Sequence, residues 1–406
     1  MAQRSNRSSR KESPRARILS HANEQTLLAC GVDPASLSYM RPKLTHKNLL
    51  LEGIKLYAAN ILKQSMLSIG GDVAVHRQVI SGKVKHSNCI VMGDLRHYRL
   101  LIDKLRFQPG LEDIADIIED QVFQDRASLT LRLCGRDYQW DSLPVVMGIL
   151  NITPDSFSDG GLYLDAESAL DHALYLVESG AEMIDIGGES SRPGAETVDT
   201  KEELARVIPV IKKVADKTGI PISIDTTKAA VAQAAIDAGA CLINDISALR
   251  GDPDMQGIAA KTGAGIILMH MRGTPSTMQD DTHYSAIIDE IYEFLSTGIQ
   301  ACLDAGIDRS SVLVDPGIGF GKDLQGNLQI LNHIEEFSSL KVPVVLGHSR
   351  KSFIGSILDA DVKERQIGTD AISAWAIMKG VDILRVHDVQ HACHLRSVIT
   401  SVMESV

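Results

Sequence analysis

Long hydrophobic runs are missing from this chain of 406 residues. A bilayer crossing needs about 20 consecutive apolar residues, so the expectation is a soluble protein with no membrane role. A CxxC pair is missing too. The six cysteines Cys30, Cys89, Cys134, Cys241, Cys302 and Cys393 are scattered, which points to a reducing, cytoplasmic setting and not to a disulfide framework. Surplus positive charge is absent: a net charge of −11 argues against a nucleic-acid partner, because neutralising phosphates requires clustered Lys and Arg. The opening "MAQRSNRSSRKESPRAR" has no apolar core for a secretory signal, so residues 1–17 read as a disordered basic tail. In "HACH", His391, Cys393 and His394 fall too close together on a predicted helix to point one way. No metal site is expected there.

What is present, from Val145 onward, is a repeating alternation. The apolar runs "VVMGIL", "EMIDIG", "PISID", "CLIND", "GIILMH", "VLVD", "VPVVLG" and "DILRVH" are separated by amphipathic stretches such as "AESALDHALYLVESG" and "GTDAISAWAIMKG". Strands apolar on both faces and joined by crossover helices belong to parallel sheets. Eight such units predict an α/β fold of the (β/α)8 TIM-barrel kind over residues 127–406. An open doubly wound sheet would bring a Gly-rich first turn, and no GxGxxG follows the first strand. Just before the barrel, "SLTLRLCGRDYQWDSL" alternates around "GRD" as a β-hairpin should, and could cover the barrel's bottom. Residues 18–126 read as a small α/β module in which no motif carries chemistry; "GGD" at Gly70–Asp72 is taken as a turn.

Polar residues fall at the C-terminal ends of the predicted strands, the face on which such barrels build their sites. In order they are Asn151, Asp185, Asp225, Asn244 with Asp245, His270, Asp315, the "GHSRKS" segment, and Arg385 with His387 and Asp388. Each alone has a structural explanation, such as a helix cap or a satisfied core histidine. Together they do not, since an unpaired polar group buried at a barrel mouth costs about 1–3 kcal/mol. Asp225, Asn244 and Asp315 offer acceptors plus one amide that both donates and accepts, and Lys351 adds a donor. That set suits a flat heterocycle bearing amino, ring N–H and keto groups. Arg385, His387 and Asn151 form a candidate anion pocket, because Arg presents paired donors to phosphate oxygens. A second anion could meet Ser352 and the backbone amides beside it.

The motifs "NITPDSFSDGG", "DIGGESSRPGA", "SIDTTK", "INDIS", "LMHM", "DPGIGFGK", "SRKSFIG" and "RVHDV", in this order and spacing, resemble the dihydropteroate synthase family, from about Ser128 to the C-terminus. The resemblance implies a pterin-binding barrel, a target of sulfonamides, that joins 6-hydroxymethyl-7,8-dihydropterin diphosphate to 4-aminobenzoate in folate biosynthesis. It places Asp225, Asn244, Asp315, Lys351, Met269 and Arg385 on the pterin, and Asn151, Arg385 and His387 on the diphosphate. Mg2+ would be the cofactor, with Asn151 as its ligand. Phe157, Ser191, Arg192, Pro193, Phe320 and Ser352 would receive 4-aminobenzoate. Asp159, Arg192 and Lys351 would be catalytic, and a homodimer is implied.

Two positions depart from the family pattern. Ser191 stands where Thr is usual, and His348 where an apolar residue is usual; the resemblance gives His348 no role. The module before Arg126 is a larger addition, which reads as a docking or oligomerisation surface. A pterin-dependent methyltransferase on the same barrel would have no use for "SRKS" or the Arg385/His387 pocket. A non-catalytic pterin-binding scaffold would have lost its loop residues first, and here both loops are intact.

Overall fold

The computed structural model describes residues 16–19, 22–123, 128–152, 162–190 and 197–405, without the side chains of 162–165. Residues 1–15 of the expected tail lie outside that set. The chain divides into two compact units, with the boundary at Arg126. None of the helices among the described residues is long and apolar enough to cross a membrane.

The first unit contains α1 (Glu24–Ala29), α2 (Leu37–Met40), β1 (His46–Lys55), α3 (Leu56–Leu67), β2 (Asp72–Val75), β3 (His86–Asp94), α4 (Leu95–Arg106) and α5 (Glu112–Phe123). Its sheet is antiparallel in the order β1-β3-β2. In β3, Ser87, Cys89 and Val91 are buried while Asn88 and Ile90 are exposed, the alternation expected when one sheet face alone is covered. The covered face packs on Leu62 and Met66 of α3, Tyr98, Leu101 and Leu105 of α4, and Ile118 of α5. Asp94 starts α4 with a capping box that it shares with His97. "GGD" is the turn into β2, tight enough that a side chain at Gly71 would collide with Met66.

The second unit begins with a hairpin, β4 (Leu129–Leu133) and β5 (Arg136–Trp140). Its turn is Cys134–Gly135, with φ of 48° and 76°, the paired positive values of a type I′ hairpin. Arg136 and Asp137 therefore belong to β5, and the turn lies earlier than "GRD" suggested. Leu129, Leu131 and Leu133 pack on Val145, Met147, Met183, Leu242, Ile267, Leu313, Val345 and Ile383, so the hairpin plugs one end of the barrel.

The barrel strands are β6 (Val145–Asn151), β7 (Met183–Gly187), β8 (Ile222–Asp225), β9 (Leu242–Asp245), β10 (Gly265–Met269), β11 (Val312–Asp315), β12 (Val345–Gly347) and β13 (Ile383–Val386). They form one parallel sheet in the order β11-β10-β9-β8-β7-β6-β13-β12. A parallel bridge between Val314 and Val344 brings its two ends together. This is the expected eight-stranded barrel. Around it run α6 (Leu162–Glu178), α7 (Thr200–Lys217), α8 (Ala229–Asp237), α9 (Met255–Thr262), α10 (Ile287–Asp304), α11 (Leu324–Asn332), α12 (Ser352–Leu358), α13 (Gln366–Met378) and α14 (Val389–Glu404). Alternate residues divide between the two sides of the strands. Ile184, Ile186, Ile222, Ile224 and Ile243 join the core under the helices, whereas Met183, Leu242 and Ile267 join the interior above the hairpin. By the same parity Asp185, Ser223, Asp225 and Asn244 face the interior.

Candidate active site at the barrel mouth

Arg385 on β13 is the hub of the site. Its Nε donates to Asp185 Oδ2 at 2.6 Å, and an Nη donates to Asp225 Oδ2 at 2.9 Å. Asn244 Nδ2 donates to the same Asp185 oxygen at 3.0 Å. On the other side Asp315 Oδ1 accepts the Gly317 N–H at 2.7 Å. Lys351 Nζ donates to the Ile318 carbonyl and lies 4.3 Å from the centre of the Phe320 ring, a cation–π contact. Two strand ends at the mouth, Gly187 and Gly347, carry no side chain and mark which groups lie beside one another. A Cβ at Gly187 would lie 3.7 Å from Asn151 Oδ1 and from Asp225 Oδ2; one at Gly347 would lie 3.4 Å from Asp315 Oδ2 and 3.8 Å from Arg385 Cδ. Asn151 and Asp225 are thus neighbours over one glycine, Asp315 and Arg385 over the other.

Burial sets the electrostatics. It pushes the Asp225 carboxyl up to about 7, with Arg385 opposing and Asp185 reinforcing the shift. It raises Asp315 against the pull of Lys351, and brings Lys351 down to about 7 against the pull of Asp315. Burial also works against the Arg385 charge, but Asp185 and Asp225 outweigh it, so its pKa stands above the ordinary value. The site therefore presents, in Asp225, a carboxyl on the point of ionising and, in Lys351, an ammonium on the point of losing a proton. A ligand that donates to the former and accepts from the latter would stabilise the charged state of both.

The remaining candidates fall as follows. Met269 and Phe320 join Ile246, Met271 and Met278 in a small apolar cluster. His387 Nδ1 is 2.9 Å from Ser349 Oγ, Ser352 is the exposed first residue of α12, and Asn151 is half-buried at the end of β6. Phe157, Asp159, Ser191, Arg192 and Pro193 lie outside the described residues. Asp225 caps no helix: the first amide of α8, at Ala229, is accepted by Asp252. Asp245 instead has a structural task, accepting the Ser247 and Leu249 amides at 2.8 and 2.7 Å. Asp388 caps α14 through the His391 amide.

Three buried arrangements were not foreseen from the sequence. Lys322 Nζ lies 2.8 Å from His270 Nδ1 and donates to the carbonyls of His270 and Gly317 at 2.8 and 2.9 Å. Burial, reinforced by Lys322, lowers the His270 pKa to about 2, so the imidazole is neutral, and burial lowers the Lys322 pKa as well. Lys228 pairs with Glu189 and with the fully buried Glu203, while Glu189 also accepts the Val198 N–H at 3.1 Å. His348 is fully buried, 2.8 Å from Ser373 Oγ and 3.2 Å from the Thr369 carbonyl. It ties the end of β12 to α13.

A family described as pterin binding enzyme matches residues 147–387. A dihydropteroate synthase of Synechocystis sp. is 48% identical over 254 residues, covering 62% of this chain and 88% of that protein. The chain belongs to the dihydropteroate synthase family. The matched region of the family runs from within β6 to just past β13 and includes every described residue of the hub. Among solved structures of dihydropteroate synthases, that of Xanthomonas albilineans with 4-aminobenzoic acid superposes with a TM-score of 0.64 at 43% identity, over 68% of this chain and 98% of that one. A probable bifunctional folylpolyglutamate synthase/dihydropteroate synthase of Haloferax volcanii is 37% identical over 342 residues. It covers 82% of this chain and 40% of its own length, more of this chain than the unit from Arg126 can supply. That likeness therefore reaches into the first unit.

Proposed function

We propose that this chain condenses 6-hydroxymethyl-7,8-dihydropterin diphosphate with 4-aminobenzoate, forming 7,8-dihydropteroate and diphosphate. The observation that carries the reading is the convergence of Asp185, Asp225, Asn244, Asp315, Lys351 and Arg385 on one barrel mouth in a member of this family. Asp225, Asn244 and Asp315 accept from and orient the pterin edge, Lys351 donates to it, Met269 forms a wall, and Arg385 lies against the ring. Asn151, Arg385 and His387 receive the diphosphate. Phe157, Ser191, Arg192, Pro193, Phe320 and Ser352 receive 4-aminobenzoate, with Asp159 and Arg192 beside the reacting carbon.

Among the described residues no group of three or more His, Cys, Asp or Glu could cage a metal. The donor set nevertheless fits Mg2+, which commonly keeps several waters and is held through substrate phosphates with few protein ligands. Asn151 would be that ligand, and the ion would supply neutralisation of the leaving diphosphate. Diphosphate departs with the C–O electron pair, Arg385 and His387 offsetting its charge, and leaves a methylene cation conjugated with the pterin. The neutral aniline nitrogen then forms the C–N bond and releases a proton. No strong base is required; the protein's tasks are to hold the two substrates in line and to keep water from the cation.

The scattered free cysteines support a cytoplasmic setting, and the acidic charge balance supports small molecules, with no nucleic acid, as partners. Exposed Ile357 and Leu358 of α12 and Ile367 and Met378 of α13 support a homodimer built on those helices. The decisive experiment is diphosphate release with both substrates and Mg2+. Lys351→Ala and Asp225→Ala should each lower turnover by at least about a hundred-fold with the unfolding temperature little changed. Near-normal rates in either variant would sink the assignment.

A further inference from the structure

We propose that Asp185 is a positioning residue that fixes which way the Asn244 amide faces and holds Arg385 beside it, so setting the donor–acceptor pattern offered to the heterocycle. The proposal rests on the functional reading above and goes one layer beneath it. Asp185 is fully buried, on the interior side of β7 between Met183 and Gly187. One of its oxygens, Oδ2, accepts from both Asn244 Nδ2, at 3.0 Å, and Arg385 Nε, at 2.6 Å. The other, Oδ1, is buried with no hydrogen-bond partner among the described residues.

The consequence follows from what each group can do. An ionised carboxylate accepts only, whereas an amide donates at nitrogen and accepts at oxygen. Turned end for end, Asn244 would set its oxygen against the carboxylate, leaving two buried acceptors without a donor between them. Asp185 thus permits one orientation. One N–H of Asn244 goes to Asp185, and the second N–H and Oδ1 remain as a donor beside an acceptor in fixed order. Without Asp185 both orientations become accessible, and half of them present the heterocycle with its hydrogen-bonding pattern reversed. Buried polar groups left unpaired in that way discriminate strongly between ligands. Arg385 would at the same moment lose one of its two anchors and turn about the Asp225 contact alone.

Calorimetric titration of the full chain with the pterin diphosphate tests this, alongside the KM for 4-aminobenzoate in the diphosphate-release assay. Asp185→Leu keeps the branched outline, at a larger volume, and removes the acceptor. Asp185→Asn can leave an oxygen in the Oδ2 place for both donors and put its NH2 where Oδ1 has no partner. The Leu variant should weaken pterin binding by at least about ten-fold and the Asn variant by less than about three-fold. The KM for 4-aminobenzoate at saturating pterin should move less than about two-fold in either. Should the Leu variant not fold, Asp185→Ala removes the same acceptor without adding bulk and carries the same expectation. The proposal is overturned if Leu or Ala binds pterin like the wild type, if Asn is as poor as Leu, or if both substrates suffer equally. Failure of the wild-type chain to bind the pterin diphosphate would instead overturn the functional reading itself.

Discussion

Asp225 and Lys351 meet near neutrality from opposite directions, one pushed up to about 7 and the other brought down to about 7 by burial. For the unliganded protein the linkage signs follow directly. Between the ordinary 3.8 of an Asp and about 7, the folded state holds a proton on Asp225 that the unfolded state has lost, so this group makes stability fall as pH rises. Between about 7 and the ordinary 10.5 of a Lys, the unfolded state holds the extra proton on Lys351, so stability rises with pH. The two contributions leave a minimum around neutrality. Ligand binding has the opposite profile, because it needs Asp225 ionised and Lys351 protonated together. Pterin affinity should peak near pH 7 and fall on both sides, with Asp225→Asn weakening the acidic limb, to which the raised Asp315 carboxyl also contributes. Titration calorimetry over about one unit either side checks this; an affinity independent of pH across that range would contradict the assignment of these groups.

At the scale of elements, the hairpin β4–β5 is the clearest case of one segment supporting a site it never touches. Leu131 is fully buried in the interior cluster beneath the polar layer. Leu131→Ala should cost about 2–5 kcal/mol, visible as a lowered urea midpoint, while activity per folded molecule is retained. A loss of kcat in excess of the unfolded fraction would show that the plug also shapes the mouth. The strands themselves were legible because a run apolar on both faces, as in "GIILM", has few ways to be satisfied outside a parallel sheet. The hub was legible as a set of strand-end polar residues. Its wiring was not: that Asn244 and Arg385 share one oxygen of Asp185 depends on three strands meeting, and no local pattern encodes it. The same holds for Lys322, whose acceptors come from His270 and Gly317 on neighbouring loops, and for Lys228, held between Glu189 and Glu203. The hairpin turn was displaced because Cys134, a residue with no preference for positive φ, takes the position that Asn or Asp usually signals.

For the whole molecule, every described residue proposed for the chemistry belongs to the unit from Arg126 onward, which has its own core. A chain beginning near Ala127 should therefore release diphosphate at a rate close to that of the full chain; loss of the reaction in a folded truncated protein would mean that the first unit completes the site. The barrel is also uneven around its circumference. Seven of its strand pairs are continuous ladders, whereas β11 meets the segment entering β12 through the single bridge Val314–Val344. Asp315 ends one of those strands, and Lys351 follows the other. The seam is where amide hydrogens should exchange earliest with deuterated water. A pterin held by Asp315 on one side and Lys351 on the other would act as a rivet across it, slowing exchange at Val314 and Val345 more than at strands on the far wall.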